Sequence, residues 1–330
     1  MNKHIFRIIS TFLVSPIDKI NLSRCNKKIH HHLKIFINAK YWSSLSLSKT
    51  FYRAGKGGHI DLIELLILKH ESLPYFIQSH MLDHALYGAS KNGSKSVIVW
   101  LMAKGADNLN KALQGAARGG HQDLVEMFIS KGANNMNVGL RGAARGGHQD
   151  LVEMFITKGA YDCSIGMYGA ARGGHQDIVD LFIESTMFEE TDYTSALYAA
   201  TKGNNITLIK LFLDKGAKNL EWGIIGAAMK GHKDLIDFFI LKGAKDWHLG
   251  LEGAARGGKR KLCDFFLDKG ASPTFGLYGA ARGGHRILID FFISKGANNF
   301  KEALSHAFYG GHYDIVEILR KKQKINKLKC

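Results

Sequence analysis

The sequence predicts an all-α protein built as a solenoid of about ten helix-turn-helix repeats. Two observations support this prediction. A string close to AARGGH recurs at steps of about 27 residues, from Ala54 to Ala307. Each unit also contains two segments whose apolar residues recur at helical spacing. A period of this length is typical of stacked arrays, because no single unit can bury its apolar face without its neighbours.

The unit at residues 137–160 shows how the two helices are predicted. Its second helix is expected to begin at His148 and to end at Gly159, a glycine in the position that commonly terminates helices. The first helix, over residues 137–145, contains two glycines that each cost about 1 kcal/mol relative to alanine. We therefore expect stacking between units, rather than local propensity, to stabilise the first helices. Gly146–Gly147 are predicted to form the turn between the helices.

The same unit resembles the ankyrin repeat. Its segment VGLRGAARGGHQDLVEMFITKGA is similar to the ankyrin pattern TPLHxAAxxGHxxxVxxLLxxGA at AAxxGH and at the terminal GA. The ankyrin period is 33 residues, so about six are missing where the ankyrin β-hairpin would lie. The resemblance therefore implies an ankyrin-like α-solenoid with reduced or absent β-hairpins over residues 49–320. Repeats this short resemble those of proteins from large DNA viruses of amoebae, which would place the protein in the host cytoplasm.

Three irregularities interrupt the period. Residues 71–82 and residues 184–194 lengthen their units and are predicted to form bulged loops. The unit at Ala199 is predicted to carry one extra residue before its second helix. The basic segment over residues 321–330 is predicted to be a solvated C-terminal tail.

Residues 1–48 do not follow the period and are predicted to form a separate helical module. The apolar spacing within residues 4–33 resembles that of an F-box. The resemblance implies that this module binds the Skp adaptor of a cullin-RING ubiquitin ligase, through a face formed or supported by Ile8, Leu13, Leu22, Cys25 and Ile29. The alternative interpretation is a helical cap that covers the apolar end of the solenoid. Both interpretations remain open at this point.

The chain carries a formal net charge of +16, which suits an acidic partner. Part of this charge recurs at the first residue after the paired small residues of each unit. Ten residues occupy this position: Lys56, Lys91, Arg118, Arg145, Arg172, Thr201, Met229, Arg256, Arg282 and Tyr309. We predict that the basic members bind a partner, and we call them the basic column: Lys56, Lys91, Arg118, Arg145, Arg172, Arg256 and Arg282. The alternative is that they pair with acidic residues of neighbouring repeats.

No catalytic residue, metal site or cofactor is predicted. The glycine turns lack the spacing of a phosphate-binding loop, and the histidines of the GGH turns lie one repeat apart, too far to share a metal ion. We expect those histidines to have capping and surface roles. The four cysteines are scattered, which favours a reducing compartment, and the longest apolar run near the start is too short to span a bilayer. An intracellular protein with no membrane partner is predicted.

The predicted function is a non-catalytic scaffold for protein–protein interaction, acting as a substrate-recruiting adaptor if the F-box resemblance holds. Two alternatives stay open. The basic column and the basic tail would suit a nucleic-acid-binding protein. A purely structural solenoid, such as a virion component, would need neither surface.

Overall fold

The computed structural model describes residues 47–69, 71, 74–185 and 187–327. Within these residues the chain forms helices joined by short turns, with no β-strand, and the helices pair into ten units. The first helices of the units are α1 Leu47–Lys56, α3 Tyr75–Asn92, α5 Leu109–Gly119, α7 Met136–Gly146, α9 Cys163–Gly173, α11 Glu190–Gly203, α13 Leu220–Lys230, α15 Trp247–Arg256, α17 Pro273–Gly283 and α19 Phe300–Tyr309. The second helices are α2 Ile60–Lys69, α4 Lys95–Ala103, α6 Gln122–Ser130, α8 Gln149–Thr157, α10 Gln176–Ser185, α12 Ile206–Asp214, α14 Lys233–Leu241, α16 Arg260–Asp268, α18 Arg286–Ser294 and α20 Tyr313–Lys327.

The units stack in chain order, as an α-solenoid requires. Each first helix packs against the first helix of the next unit, from α1 against α3 to α17 against α19, and each second helix packs against the first helix of its own unit. The second helices of seven units contribute a fully buried phenylalanine to the core between the layers: Phe128, Phe155, Phe182, Phe212, Phe239, Phe266 and Phe292. The predicted all-α solenoid is therefore confirmed.

The glycines of the first helices allow these helices to approach one another closely. A Cβ atom on Gly142 would lie 2.5 Å from the carbonyl oxygen of Gln114 in the preceding unit, and one on Gly139 would collide with the ring of Phe155. Neither site has room for alanine. The low helix propensity of the first helices is thus the consequence of a backbone packing that only glycine permits.

Polar side chains fix the turns between units. The N-cap residue Asn135 accepts a hydrogen bond from the backbone N–H of Val138 through Oδ1 at 3.2 Å. Two residues later, in the first turn of α7, Oδ1 of Asn137 accepts from the backbone N–H groups of Tyr161 and Asp162 in the next unit, at 3.0 and 3.1 Å. The hydrogen bond of Asn135 caps the N-terminus of α7. The two hydrogen bonds of Asn137 connect this unit to the loop before the first helix of the next unit.

Both insertions differ from the sequence prediction of bulged loops. The first lengthens α3, which begins at Tyr75 after Pro74 and extends over 18 residues. The second lengthens α11, which begins with a capping box formed by Glu189 and Asp192. Helix extension satisfies backbone N–H and C=O groups that a bulged loop would leave to solvent. The loop prediction is therefore wrong for residues 75–82 and 190–194, whereas residues 187–189 lie outside the helices. At the C-terminus, α20 extends to Lys327, so much of the basic segment after residue 320 continues a helix.

The first two units of the array are in contact with the last two. Ser48 Oγ in α1 donates a hydrogen bond to the carbonyl oxygen of Gly311 at 3.0 Å, and Lys49 Nζ donates to the carbonyl oxygen of Gly283 at 3.0 Å. In addition, the ring of Phe76 in α3 lies edge-on to the ring of Tyr313 in α20, with centroids 5.9 Å apart. The stack therefore curves until its two ends meet.

Candidate anion-binding surface

The structure places every residue of the basic column in the last turn of a first helix. The chain then reverses at a glycine, such as Gly147 with φ of 82°, which ends α7 in the left-handed conformation. The side chain of Arg145 therefore projects from one layer of the array, the layer formed by the first helices. The same geometry recurs for the other members: Lys56, Lys91, Arg118, Arg172, Arg256 and Arg282.

In the sixth unit the sequence assignment of this position is wrong. The residue in register with the column is Lys202, because α11 contains one more residue before its left-handed C-cap at Asn204. Thr201 is fully buried and donates through Oγ1 to the carbonyl oxygen of Tyr198 at 2.8 Å. One added residue rotates a helical side chain by about 100°, which moves the column from threonine to lysine.

The histidines of the GGH turns support the basic column rather than cap helices. His121 and His285 occupy N-cap positions, but their side chains make no capping hydrogen bond. Instead, Nε2 of His121 donates to the carbonyl oxygen of Lys91 at 3.2 Å, and Nε2 of His285 donates to that of Arg256 at 3.1 Å. Each of these histidines therefore fixes the backbone of a column residue in the preceding unit, and the predicted capping role is wrong.

The curvature of the array brings cations from distant units close together. Burial lowers the pKa of Lys230 in the seventh unit, and Arg172, Arg145 and Arg118 of the fifth, fourth and third units lower it further. A straight stack would separate the third and seventh units by about 40 Å, at roughly 10 Å per unit. Charges at that distance would be screened. The side chains of the basic column therefore converge on a common space.

Lys202 also lies among these converging cations. Burial lowers its pKa to about 6, and the cations Arg172 and Arg256 add to the effect. Its Nζ lies 4.6 Å above the ring centroid of Tyr198. A cation–π contact of this kind supplies only part of the stabilisation that a carboxylate would give. The converging side chains thus form a region of uncompensated positive charge.

Part of this surface forms a cavity of about 290 Å³. Residues of the second to fifth units line it: Tyr87, Gln114, Arg118, Arg141, Gly142, Arg145, Tyr168 and Arg172. Arg118 Nη1 donates to Tyr87 Oη at 3.3 Å. The Nε of Arg141 lies 2.7 Å from the side-chain amide of Gln114, which accepts this hydrogen bond through its oxygen. Two of the four guanidinium groups are thereby oriented by neutral partners.

Arg145 lies in the centre of this cluster. Its Nε is buried and has no hydrogen-bond partner. Burial lowers the pKa of Arg145 to about 9, and the neighbouring Arg172 and Arg118 lower it further. A buried cation without a counter-charge is costly, so the site favours an anion.

Among the residues that the structure describes, no acidic side chain forms a salt bridge with the basic column. The salt bridges found within the described residues lie on exposed side chains away from it: Lys95–Asp123, Lys218–Glu190, Arg260–Asp264, Arg320–Glu317 and Lys322–Asp290. Acids of the second helices instead accept hydrogen bonds on their own helix, as Glu153 does from Gln149 at 3.0 Å. The interpretation that the arginines pair with acids of neighbouring repeats is therefore wrong.

Several residues of the site were not predicted from the sequence. Gln114, Arg141 and Tyr168 each stand four residues before a column arginine, and helical geometry places such pairs on one face. That spacing was the signal available in the sequence. The predicted adaptor residues Ile8, Leu13, Leu22, Cys25 and Ile29 lie outside the described residues.

No known protein family and no curated protein matches this sequence. Within the described part of the chain, no three histidine, cysteine, aspartate or glutamate side chains are grouped to hold a metal ion. None of the helices described there combines the length and the apolar character needed to cross a membrane.

Proposed function

We propose that the chain is a non-catalytic binding scaffold whose array holds an acidic segment of a partner protein against the basic column. The observation that supports this proposal is the convergence of the column on one space without a salt bridge to any column residue among the described residues. Keeping unpaired cations close together costs stability. Binding an acidic segment would recover that cost.

The tyrosines beside the column favour a protein over a nucleic acid. Proteins that bind single strands without sequence preference present aromatic faces on which bases stack. Here Tyr52 packs against Tyr87 with ring centroids 5.7 Å apart, and Tyr198 is buried with Trp222 edge-on to it at 5.3 Å. These rings already have partners, so they support the arginines instead of offering stacking surfaces.

The test compares two variants that lose the same charge. The triple variant R118Q/R145Q/R172Q removes the centre of the column. The control K131Q/K158Q/K215Q removes three exposed lysines at the ends of second helices. Binding of fluorescent poly-glutamate is measured by anisotropy over a range of salt concentrations.

We expect poly-glutamate to bind the wild type and the control, to lose affinity as salt rises, and to lose most of its affinity for the column variant. Equal weakening by both variants would contradict the proposal, because the effect would then follow net charge alone. Tighter binding of a single-stranded oligonucleotide than of poly-glutamate would favour the nucleic-acid alternative.

The F-box resemblance of the N-terminal module extends this proposal. The array would present its bound protein to a ubiquitin ligase by proximity, and the chain itself would perform no chemistry. We expect the full-length chain to bind the Skp adaptor and a variant with Leu13→Ala and Ile29→Ala to lose that binding. Retention of adaptor binding in this variant, or no binding by the wild type, would leave the cap interpretation.

A further inference from the structure

The cavity beneath Arg145 has the composition of a site for one small, highly charged anion. It is lined by four guanidinium groups, two phenols and one amide, and no carboxylate is among its lining residues. Its volume of about 290 Å³ is near the lower end of small-molecule sites, which range from about 300 to 1,000 Å³. A folded domain cannot enter a space of this size, but a single charged group can.

We propose that this cavity binds a phosphoryl group, carried by a small polyphosphate or by a phosphorylated side chain. The inference rests on the proposed function, since both require the column to bind an anion. It goes further because it assigns the chemistry of the group that binds in the cavity.

The donors in the cavity suit a phosphoryl group better than a carboxylate. A phosphorylated side chain carries close to two negative charges and three acceptor oxygens, whereas a carboxylate carries one charge and two oxygens. Arg118 and Arg141 are already oriented by Tyr87 and Gln114, so their remaining N–H groups are directed with little loss of entropy. Arg145, whose Nε has no hydrogen-bond partner, lines the same cavity and adds a third guanidinium group.

Three successive units provide this arrangement because the column arginine is repeated. Arg118, Arg145 and Arg172 each lie within the local sequence GAARGG, and Arg141 adds a fourth cation from the helix of Arg145. In the eighth unit Arg256 occupies an identical GAARGG sequence, but Glu252 stands where Arg141 stands in the fourth unit, and Arg256 does not line the cavity. The control for Arg145 is Lys158, an exposed lysine at the end of the second helix of the same unit, because its replacement by glutamine removes the same charge away from the column.

The experiment is isothermal titration calorimetry on the full chain with two probes, inorganic pyrophosphate and a phosphoserine peptide. Wild type, R145Q and the control K158Q are compared, with R172Q as a second cavity variant. We expect one probe molecule per chain, a loss of affinity of about tenfold or more for R145Q and R172Q, and a change within about twofold for K158Q. Circular dichroism and thermal melting of each variant verify that it remains folded.

The two probes distinguish the source of the phosphoryl group. Binding of pyrophosphate alone assigns a small polyphosphate, and binding of the phosphopeptide in competition with pyrophosphate assigns a phosphorylated protein. Absence of binding for both probes would overturn the inference, as would equal weakening by R145Q and K158Q. If neither phosphoryl probe binds but poly-glutamate does, the proposed function stands without the phosphoryl site. If poly-glutamate does not bind but a phosphoryl probe does, the phosphoryl site stands without the proposed function.

Discussion

Replacing Arg145 by glutamine should stabilise the protein even though it removes a long, half-buried side chain. Burial and the adjacent arginines hold the pKa of Arg145 at about 9, more than three pH units below the ordinary value for arginine. At about 1.4 kcal/mol for each pH unit, this difference corresponds to about 5 kcal/mol as an upper limit. Water entering the cavity and relaxation of the side chain reduce that cost, so we expect R145Q to gain about 1–3 kcal/mol.

The assay is urea unfolding followed by far-ultraviolet circular dichroism, with K158Q as the control. Lys158 lies in the same unit and is exposed, so its replacement should leave stability within about 0.5 kcal/mol of the wild type. The midpoint of R145Q should exceed that of the wild type, and the gain should shrink when phosphate or high salt is added. A midpoint for R145Q below that of the wild type would refute the argument, because it would show that Arg145 is compensated within the folded chain.

Three further predictions concern the scaffold. Gly142→Ala should lower the free energy of unfolding by about 1–3 kcal/mol, net of the helix propensity it gains, because the added Cβ would meet the backbone of Gln114. An unchanged urea midpoint would contradict this packing. Burial lowers the pKa of His285 to about 4 and that of His312 to about 3, with nearby cations adding to the effect. The unfolded chain therefore takes up their protons first, so stability should be full above about pH 6.5 and fall as pH drops towards 4, and midpoints that do not change over this interval would contradict it. Asn135→Ala should cost about 1 kcal/mol through loss of the N-cap, measured as the change in midpoint against Asn135→Ser, which retains a capping oxygen.

The repeated features of this protein could be predicted from the sequence because each is set by local chemistry. The period, the two helices of each unit and the position of Arg145 at the end of a first helix follow from helical spacing and from the glycine turn. One position of the column was predicted wrongly. The column residue of the sixth unit is Lys202 and not Thr201, because the sequence does not show whether the inserted residue lies before or after the end of the helix.

The closure of the array was not predictable in the same way. The hydrogen bond between Ser48 and Gly311 joins residues separated by 263 positions. It depends on a small rotation at each interface between units that accumulates over the whole stack. No local pattern encodes that sum. The cavity follows from the same curvature, since it draws Tyr87, Arg145 and Tyr168 from different units.

The column converges only if the two ends of the array meet, so the distance between them is the most direct measurement. Spin labels at Tyr75 in α3 and Glu317 in α20, in a background without native cysteines, allow that distance to be measured by pulsed electron paramagnetic resonance. Phe76 and Tyr313 are in contact, with ring centroids 5.9 Å apart, so we predict a label separation below about 25 Å, allowing for one turn of helix and the label arms. An open stack would separate the second and tenth units by about 80 Å, and a distance in that range would contradict the convergence of the basic column.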